Sequence, residues 1–301
     1  MTRRFATRLT IACLAGTLLA LPAAAQVKSY TEIKKTPLPD FKVPEPETFT
    51  LKNGMRVFLM EDREIPVVSV RALVRTGSFW EPPGKVGLAR LTGTVQRTGG
   101  TTSMTGDQLD DYLEARAAVV ETAIGGDSGG ASMNCLKQDF DEVFKVFLDV
   151  LRNPAFAQDK LDLAKVQANA SIARRNDNVG GITGREIGRL VYGPDSPLVS
   201  LEQYTTIAAI TREDLAAWHK TYFVPNNIML GVSGDFDSKA MRKTIEQAFA
   251  SWPKGPTVTV GKIPYRTTPN PGVFFIEKAD VTQANIAMAE LGIEQTNPDY
   301  F

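Results

Sequence analysis

The chain has 301 residues, 43% of them hydrophobic, enough for a sizeable buried core of one domain plus part of another. Its 34 basic and 34 acidic residues cancel, and no basic arm or acidic tail is present, so nothing here attracts nucleic acid or an anionic membrane surface.

The N-terminus reads as an export signal. Arg3, Arg4 and Arg8 form a positive region, residues 9–21 are apolar, and Ala23 and Ala25 place small side chains at a cleavage site after Ala25. The apolar run falls short of the ~20 residues that a membrane span needs. Cys13 lies inside that run without the leucine-led context of a lipid attachment site. Residues 1–25 are therefore expected to be removed, with the mature protein periplasmic in a bacterium, or secreted. Cys135 is then the one remaining cysteine, and a single thiol forms neither an internal disulfide nor a cysteine-based zinc cage.

Residues 26–46 carry Pro37, Pro39, Pro44 and Pro46 among charges and read as an extended lead-in. Asn53-Gly54 between two β-prone runs predicts a hairpin, because both residues tolerate positive φ. Val68, Val70, Ala72 and Val74 alternate with more polar positions and predict a strand with one buried face. A helix is expected over 87–98, stopped by Gly99-Gly100. Thr105 with Gln108 fits a capping box for the next helix. Strands at 119–124 and 131–136 flank Gly125-Gly126-Asp127-Ser128-Gly129-Gly130, which reads as a turn and not as a phosphate loop. Helical patterns follow at 140–151, 159–175 and 182–190, with Gly180-Gly181 as a break before the last. Thr211 with Asp214 opens another helix, residues 228–232 read as a strand and 238–249 as a helix. This order is α+β and not a regular alternation. Five prolines between 253 and 271 mark a linker, after which 273–276 and 284–289 again look like strands.

Several phrases, in order, resemble the insulinase/pitrilysin (M16) metallopeptidase family. Leu51-Lys52-Asn53-Gly54-Met55-Arg56-Val57 is similar to its opening hairpin, and Pro66-Val67-Val68-Ser69-Val70 and Val74-Arg75-Thr76-Gly77-Ser78 to its next strand. Glu81-Pro82-Pro83-Gly84-Lys85-Val86-Gly87-Leu88-Ala89 resembles the approach to the helix that bears the zinc motif. Asn153-Pro154-Ala155-Phe156, Ile210-Thr211-Arg212-Glu213-Asp214-Leu215, Phe223-Val224-Pro225-Asn226-Asn227 and Gly234-Asp235-Phe236 follow in familiar places. The match runs over residues 47–301. It implies an α+β domain at 47–254, an antiparallel sheet with helices packed mainly on one face, then a linker at 255–272 and the start of a second similar domain at 273–301.

The family's zinc motif is His-x-x-Glu-His on that helix, with a further glutamate ligand about 77 residues onward. By the resemblance, the first histidine position is Arg90, the general-base position Gly93, the second histidine position Thr94 and the later glutamate position Ser171. A guanidinium offers a metal no lone pair, glycine takes no proton from water, and serine and threonine hydroxyls are poor zinc ligands. The whole chain holds one histidine, His219, so no two-histidine site can be assembled from it. The expectation is that zinc, the family's cofactor, is not bound and that the chain by itself has no catalytic residues. Arg90 is expected either to pair with a local carboxylate and fill the old metal cavity or to bind an acidic group from a partner or peptide. His219, at a helix end, is expected to bond a nearby carbonyl, and Cys135 to be a buried strand residue.

In related two-subunit peptidases one chain carries the zinc motif and its partner, lacking it, supplies chamber wall and substrate-binding residues. The resemblance thus implies a non-catalytic chamber half that holds an unfolded peptide, either in a heterodimer with an intact-motif subunit or through self-association. A non-proteolytic scaffold, like the related core subunits of respiratory complexes, and a hydrolase acting through residues beyond 301 stay open as alternatives.

Overall fold

The computed structural model describes residues 43–268 and 270–300. The chain divides into two units, Met1–Pro44 and Glu45–Phe301, and the architecture that follows is that of the second. The export signal at 1–25 and nearly all of the expected lead-in lie outside the described residues. Among the described residues no helix is long and apolar enough to cross a membrane.

Six strands form one open sheet in the order β1-β2-β6-β3-β5-β4. They are β1 (Glu47–Thr50), β2 (Arg56–Glu61), β3 (Val67–Val74), β4 (Val119–Ile124), β5 (Gly129–Leu136) and β6 (Ile228–Gly234). The Asn53-Gly54 hairpin forms as expected: Thr50 pairs with Arg56, and Gly54 turns the chain at φ 90°. Asn53 also ties this turn to the far end of the chain, its amide donating to the carbonyls of Phe249 and Trp252. The β4–β5 pair closes over the glycine-rich turn, with Ile124 opposite Gly129.

The sheet departs from the expected antiparallel order at one pair. β6 inserts between β2 and β3, antiparallel to β3 but parallel to β2, with Val57 opposite Leu230. Local alternation reports which face of a strand is buried and says nothing about its neighbour, so a partner about 170 residues away in sequence is invisible to it.

Among the described residues there are eight helices: α1 (Leu88–Thr98), α2 (Gly106–Glu114), α3 (Phe140–Arg152), α4 (Gln158–Arg174), α5 (Val179–Tyr192), α6 (Tyr204–Ala209), α7 (Arg212–Tyr222) and α8 (Ser238–Phe249); α1, α2, α3 and α8 pack on the sheet, α4 and α7 against α1, and α6 against α4. The predicted capping box at Thr105/Gln108 is present, and the helix expected to open at Thr211 with Asp214 is likewise started by a capping box. Gly100, at φ 74°, is the left-handed residue that ends α1. Buried Val57, Leu59, Val70, Ala72, Val120, Met133, Leu230 and Val232 meet buried helix residues in one continuous core. On α3, Phe140, Phe144 and Phe147 stack at centroid separations of 5.1 and 5.9 Å. The opposite sheet face is mixed: Asn134 donates to the Ser69 hydroxyl across β5 and β3, while Val119, Leu136 and Met229 are exposed there.

Three local expectations need correction. Gly180-Gly181 do not precede a helix but lie in the first turn of α5, which starts at Val179 because the Asn178 side chain accepts from the Gly181 amide. The short α6 was not expected, being too brief to show periodicity. Residues 273–276 and 284–289 are not strands, since neither run pairs with another and an unpaired extended run has no ladder to hold it. The proline-rich stretch before them is fastened to the body. Trp80 donates to the Gly261 carbonyl, the Ser196 hydroxyl donates to that of Pro264, and Arg266 donates to those of Leu190 and Tyr192.

Candidate functional site

Three of the four sequence-predicted site residues, Arg90, Gly93 and Thr94, lie on α1, and the fourth, Ser171, lies on α4. Gly87, at φ 107°, begins the helix, and the Glu81 carboxylate reaches back to accept from the Gly87 amide at 3.0 Å and the Ala89 amide at 2.6 Å. A carboxylate at a helix N-terminus satisfies otherwise unpaired amides and complements the helix dipole. Burial nevertheless pushes the Glu81 carboxyl above its ordinary range, with Glu202 adding to that push, while the two amides and Arg90 work against it.

One turn into α1, Arg90 pairs side-on with Glu202: Nε donates to Oε1 at 2.6 Å and a terminal nitrogen to Oε2 at 2.8 Å. This is a bidentate, charge-assisted pair in a partly buried setting, with side chains 43% and 24% exposed. Glu202 lies just before α6, and its backbone carbonyl accepts from Arg175 at the end of α4. The two arginines and two glutamates thus bind α1, α4 and the approach to α6 into one polar plug. Arg90 pairs with a carboxylate of the same chain, but not a local one: Glu202 is 112 residues away in sequence.

Gly93 is pressed against the edge strand. A Cβ added there would sit 2.6 Å from the Ile124 nitrogen and 2.9 Å from the Ala123 carbonyl carbon. The Gly93 carbonyl accepts from the Thr122 hydroxyl at 2.6 Å, and Arg97 donates to the Val120 carbonyl at 2.7 Å, so α1 is stitched along β4. Thr94 is half-buried one turn beyond Arg90, and Ser171 on α4 is exposed, its hydroxyl donating to the Gln167 carbonyl. No hydrogen bond joins Ser171 or Thr94 to the Arg90–Glu202 pair. Glu81, Glu202 and Arg175 escaped the sequence reading, because only tertiary contact gathers three separated segments.

His219 and Cys135 take structural places. The His219 Nε2 donates to the Leu151 carbonyl at 3.0 Å, and the ring stacks on Phe223 at 4.5 Å. Burial lowers its pKa to about 4, against the carbonyl bond, which raises it. Cys135 is buried on β5, and burial, helped by Asp139, raises its thiol to about 11, a poor nucleophile.

An open mixed sheet, with α1 packed along its β4 edge strand and against α4, defines an α+β domain. A family model described as insulinase (peptidase family M16) matches residues 56–182, and one described as the peptidase M16 inactive domain matches residues 209–301. The chain belongs to the M16 family. It is 21% identical over 207 residues to an uncharacterized zinc protease of Rickettsia bellii, covering 68% of this chain and 50% of that protein. The crystal structure of a peptidase M16 inactive domain from Pseudomonas fluorescens superposes with a TM-score of 0.68 at 24% identity, over 73% of this chain and 54% of that one. The periplasmic protease PqqL of Escherichia coli gives 0.66 at 18%, over 74% and 26% respectively. The chain spans about half the length of the curated relatives it matches.

The positions that the resemblance assigns to the metal do not fit a zinc ion. At the first histidine position stands a cation already bound to a carboxylate, at the general-base position a glycine with no room for a side chain, and at the second histidine and later glutamate positions two hydroxyls, one of them turned to its own helix. Among the described residues no group of three or more His, Cys, Asp and Glu side chains gathers as a cation site.

Proposed function

We propose that this protein is a non-catalytic member of an exported M16 peptidase system. It forms half of a chamber and holds peptide for a partner that carries an intact His-x-x-Glu-His helix. The observation that carries the reading is the Arg90–Glu202 pair: the position given to a metal-binding histidine bears a fixed positive charge that is already neutralised and stapled to a second segment. A neutral imidazole at that place could bind zinc, whereas a guanidinium repels it and stays protonated at every physiological pH. Retention of the family's sheet and helices around so altered a centre supports a role in shape and recognition. The N-terminal signal pattern, and the periplasmic description of PqqL, support a location outside the cytoplasm.

Affinity purification of the full-length protein from its native host tests this. The expected result is a stoichiometric companion with an intact zinc motif, with zinc in the companion and none in this chain by elemental analysis. Chelator-sensitive peptide cleavage by the isolated chain would overturn it. A stable complex without any zinc-motif chain would replace it by a scaffold role.

A further inference from the structure

Helix α4 has a face that the core does not use. Leu161, Ala164 and Ala168 are buried, while Leu163 and Val166 are 52% and 64% exposed. On the following turns Gln167, Ala170, Ser171 and Arg174 line an open concavity. Positions 163, 166, 170 and 174 recur at helical spacing, so the apolar strip and the guanidinium lie along one side of the helix.

The charge at the end of this strip is unusual for its surroundings. Arg90 is taken by Glu202, Arg175 by the Glu202 carbonyl, Arg185 by Glu186 and Asn176, and Arg189 by Glu186. The Arg174 guanidinium has no hydrogen-bond or ion-pair partner among the described residues. A free guanidinium beside a hydroxyl and a carboxamide matches a carboxylate, which it can receive bidentately. The dimensions select what else the ligand carries. At about 1.5 Å rise per residue, Val166 and Arg174 are separated by roughly 12 Å along the helix. An extended polypeptide advances about 3.3 Å per residue, so about four residues cover that distance.

We infer that this face binds an extended polypeptide segment in which a short apolar run is followed by a carboxylate. The apolar side chains lie over Leu163, Val166 and Ala170, and the carboxylate meets Arg174. One cation beside a narrow apolar strip suits a single acidic group better than an anionic membrane, which is held by clusters of several basic residues. The inference rests on the peptide-holding reading above and adds a substrate class to it: where the family resemblance leads one to expect a carboxylate that holds a cation, Ser171 lines a site for an anion.

The test is fluorescence anisotropy on the full chain with labelled peptides acetyl-AVFLE-amide, its Gln and Lys counterparts, and AVFL with a free C-terminal carboxylate. Wild-type protein should bind AVFLE at least about tenfold more tightly than the Gln peptide, and Arg174→Gln should remove that preference without additional loss for the Gln peptide. Val166→Ser should weaken both. The free-carboxylate peptide distinguishes a terminal from a side-chain acid, and tighter binding of either acid over its neutral counterpart supports the site. Arg174 and Val166 are exposed, so thermal melts of both variants should match wild type. Equal binding of AVFLE by wild type and Arg174→Gln would overturn the site while leaving peptide holding intact. No binding of any peptide, the Lys form included, would overturn both. Arg174-dependent binding to phosphatidylserine vesicles without peptide binding would assign the face to a membrane and overturn the inference.

Discussion

Replacing Gly93 by alanine probes how tightly α1 is seated on β4. In an open helix interior the change would stabilise by about 1 kcal/mol, since alanine loses less backbone entropy than glycine. At Gly93 the new Cβ would lie 2.6 Å from the Ile124 nitrogen, about 0.8 Å inside ordinary contact, and the obstacle is backbone. Neither side yields easily, because the Thr122–Gly93 and Arg97–Val120 hydrogen bonds hold helix and strand together. Overpacking of this kind costs about 1–3 kcal/mol, so set against that gain the net expectation is a loss of up to about 2 kcal/mol. Gly184, inside α5, is the matched control: a Cβ there meets nothing within 4 Å, and Gly184→Ala should stabilise by roughly 0.5–1 kcal/mol. Urea denaturation of both variants beside wild type measures the two signs, which should be opposite for the same chemical change. If Gly93→Ala were as stabilising as Gly184→Ala, the close seating of α1 on β4 would be refuted.

The same crowding bears on restoring a zinc site: the quadruple change Arg90→His, Gly93→Glu, Thr94→His and Ser171→Glu should give an unstable protein with little zinc in elemental analysis, and one zinc per chain at wild-type stability would refute this. A double-mutant cycle of Arg90→Met and Glu202→Gln should return a coupling of about 1–2 kcal/mol, between the values for exposed and buried pairs, and a coupling near zero would reduce the pair to surface decoration. His219 titrates near 6.5 when unfolded and near 4 when folded, so the unfolded chain takes up the proton first; its contribution is complete above pH 6.5 and falls by about 1.4 kcal/mol per pH unit as pH drops toward 4. His219→Gln should therefore flatten the stability profile between pH 6.5 and 5, and an unchanged slope would remove His219 as its cause. Mass spectrometry of the protein exported by its host should find Gln26 at the N-terminus, and an intact Met1 chain in the cytoplasm would contradict the signal reading.

Much of the candidate site was legible as chemistry before it was legible as geometry. That Arg90, Gly93, Thr94 and Ser171 make no zinc-ligand set follows from residue type alone, and a chain with one histidine cannot supply two. The partner that occupies Arg90 was not legible, because Glu202 lies in a segment with no periodicity or motif to single it out. Nor was the reason that a larger residue is unwelcome at Gly93, which is the close approach of the Ala123–Ile124 backbone.

The sequence by itself determined the local elements. Alternating Val68, Val70, Ala72 and Val74 specified one face of β3, the Thr105/Gln108 and Thr211/Asp214 boxes specified two helix starts, and Asn53-Gly54 specified a hairpin, each through forces acting over a few residues. Tertiary structure decided what those elements meet. It placed β6 between β2 and β3 and parallel to β2, and left 273–276 and 284–289 without strand partners. It also drew Glu81, Arg90, Arg175 and Glu202 together from segments far apart. Burial of the shared core brings such segments into contact, and their pairing is specified by the packing of the whole unit, which no short window of sequence contains.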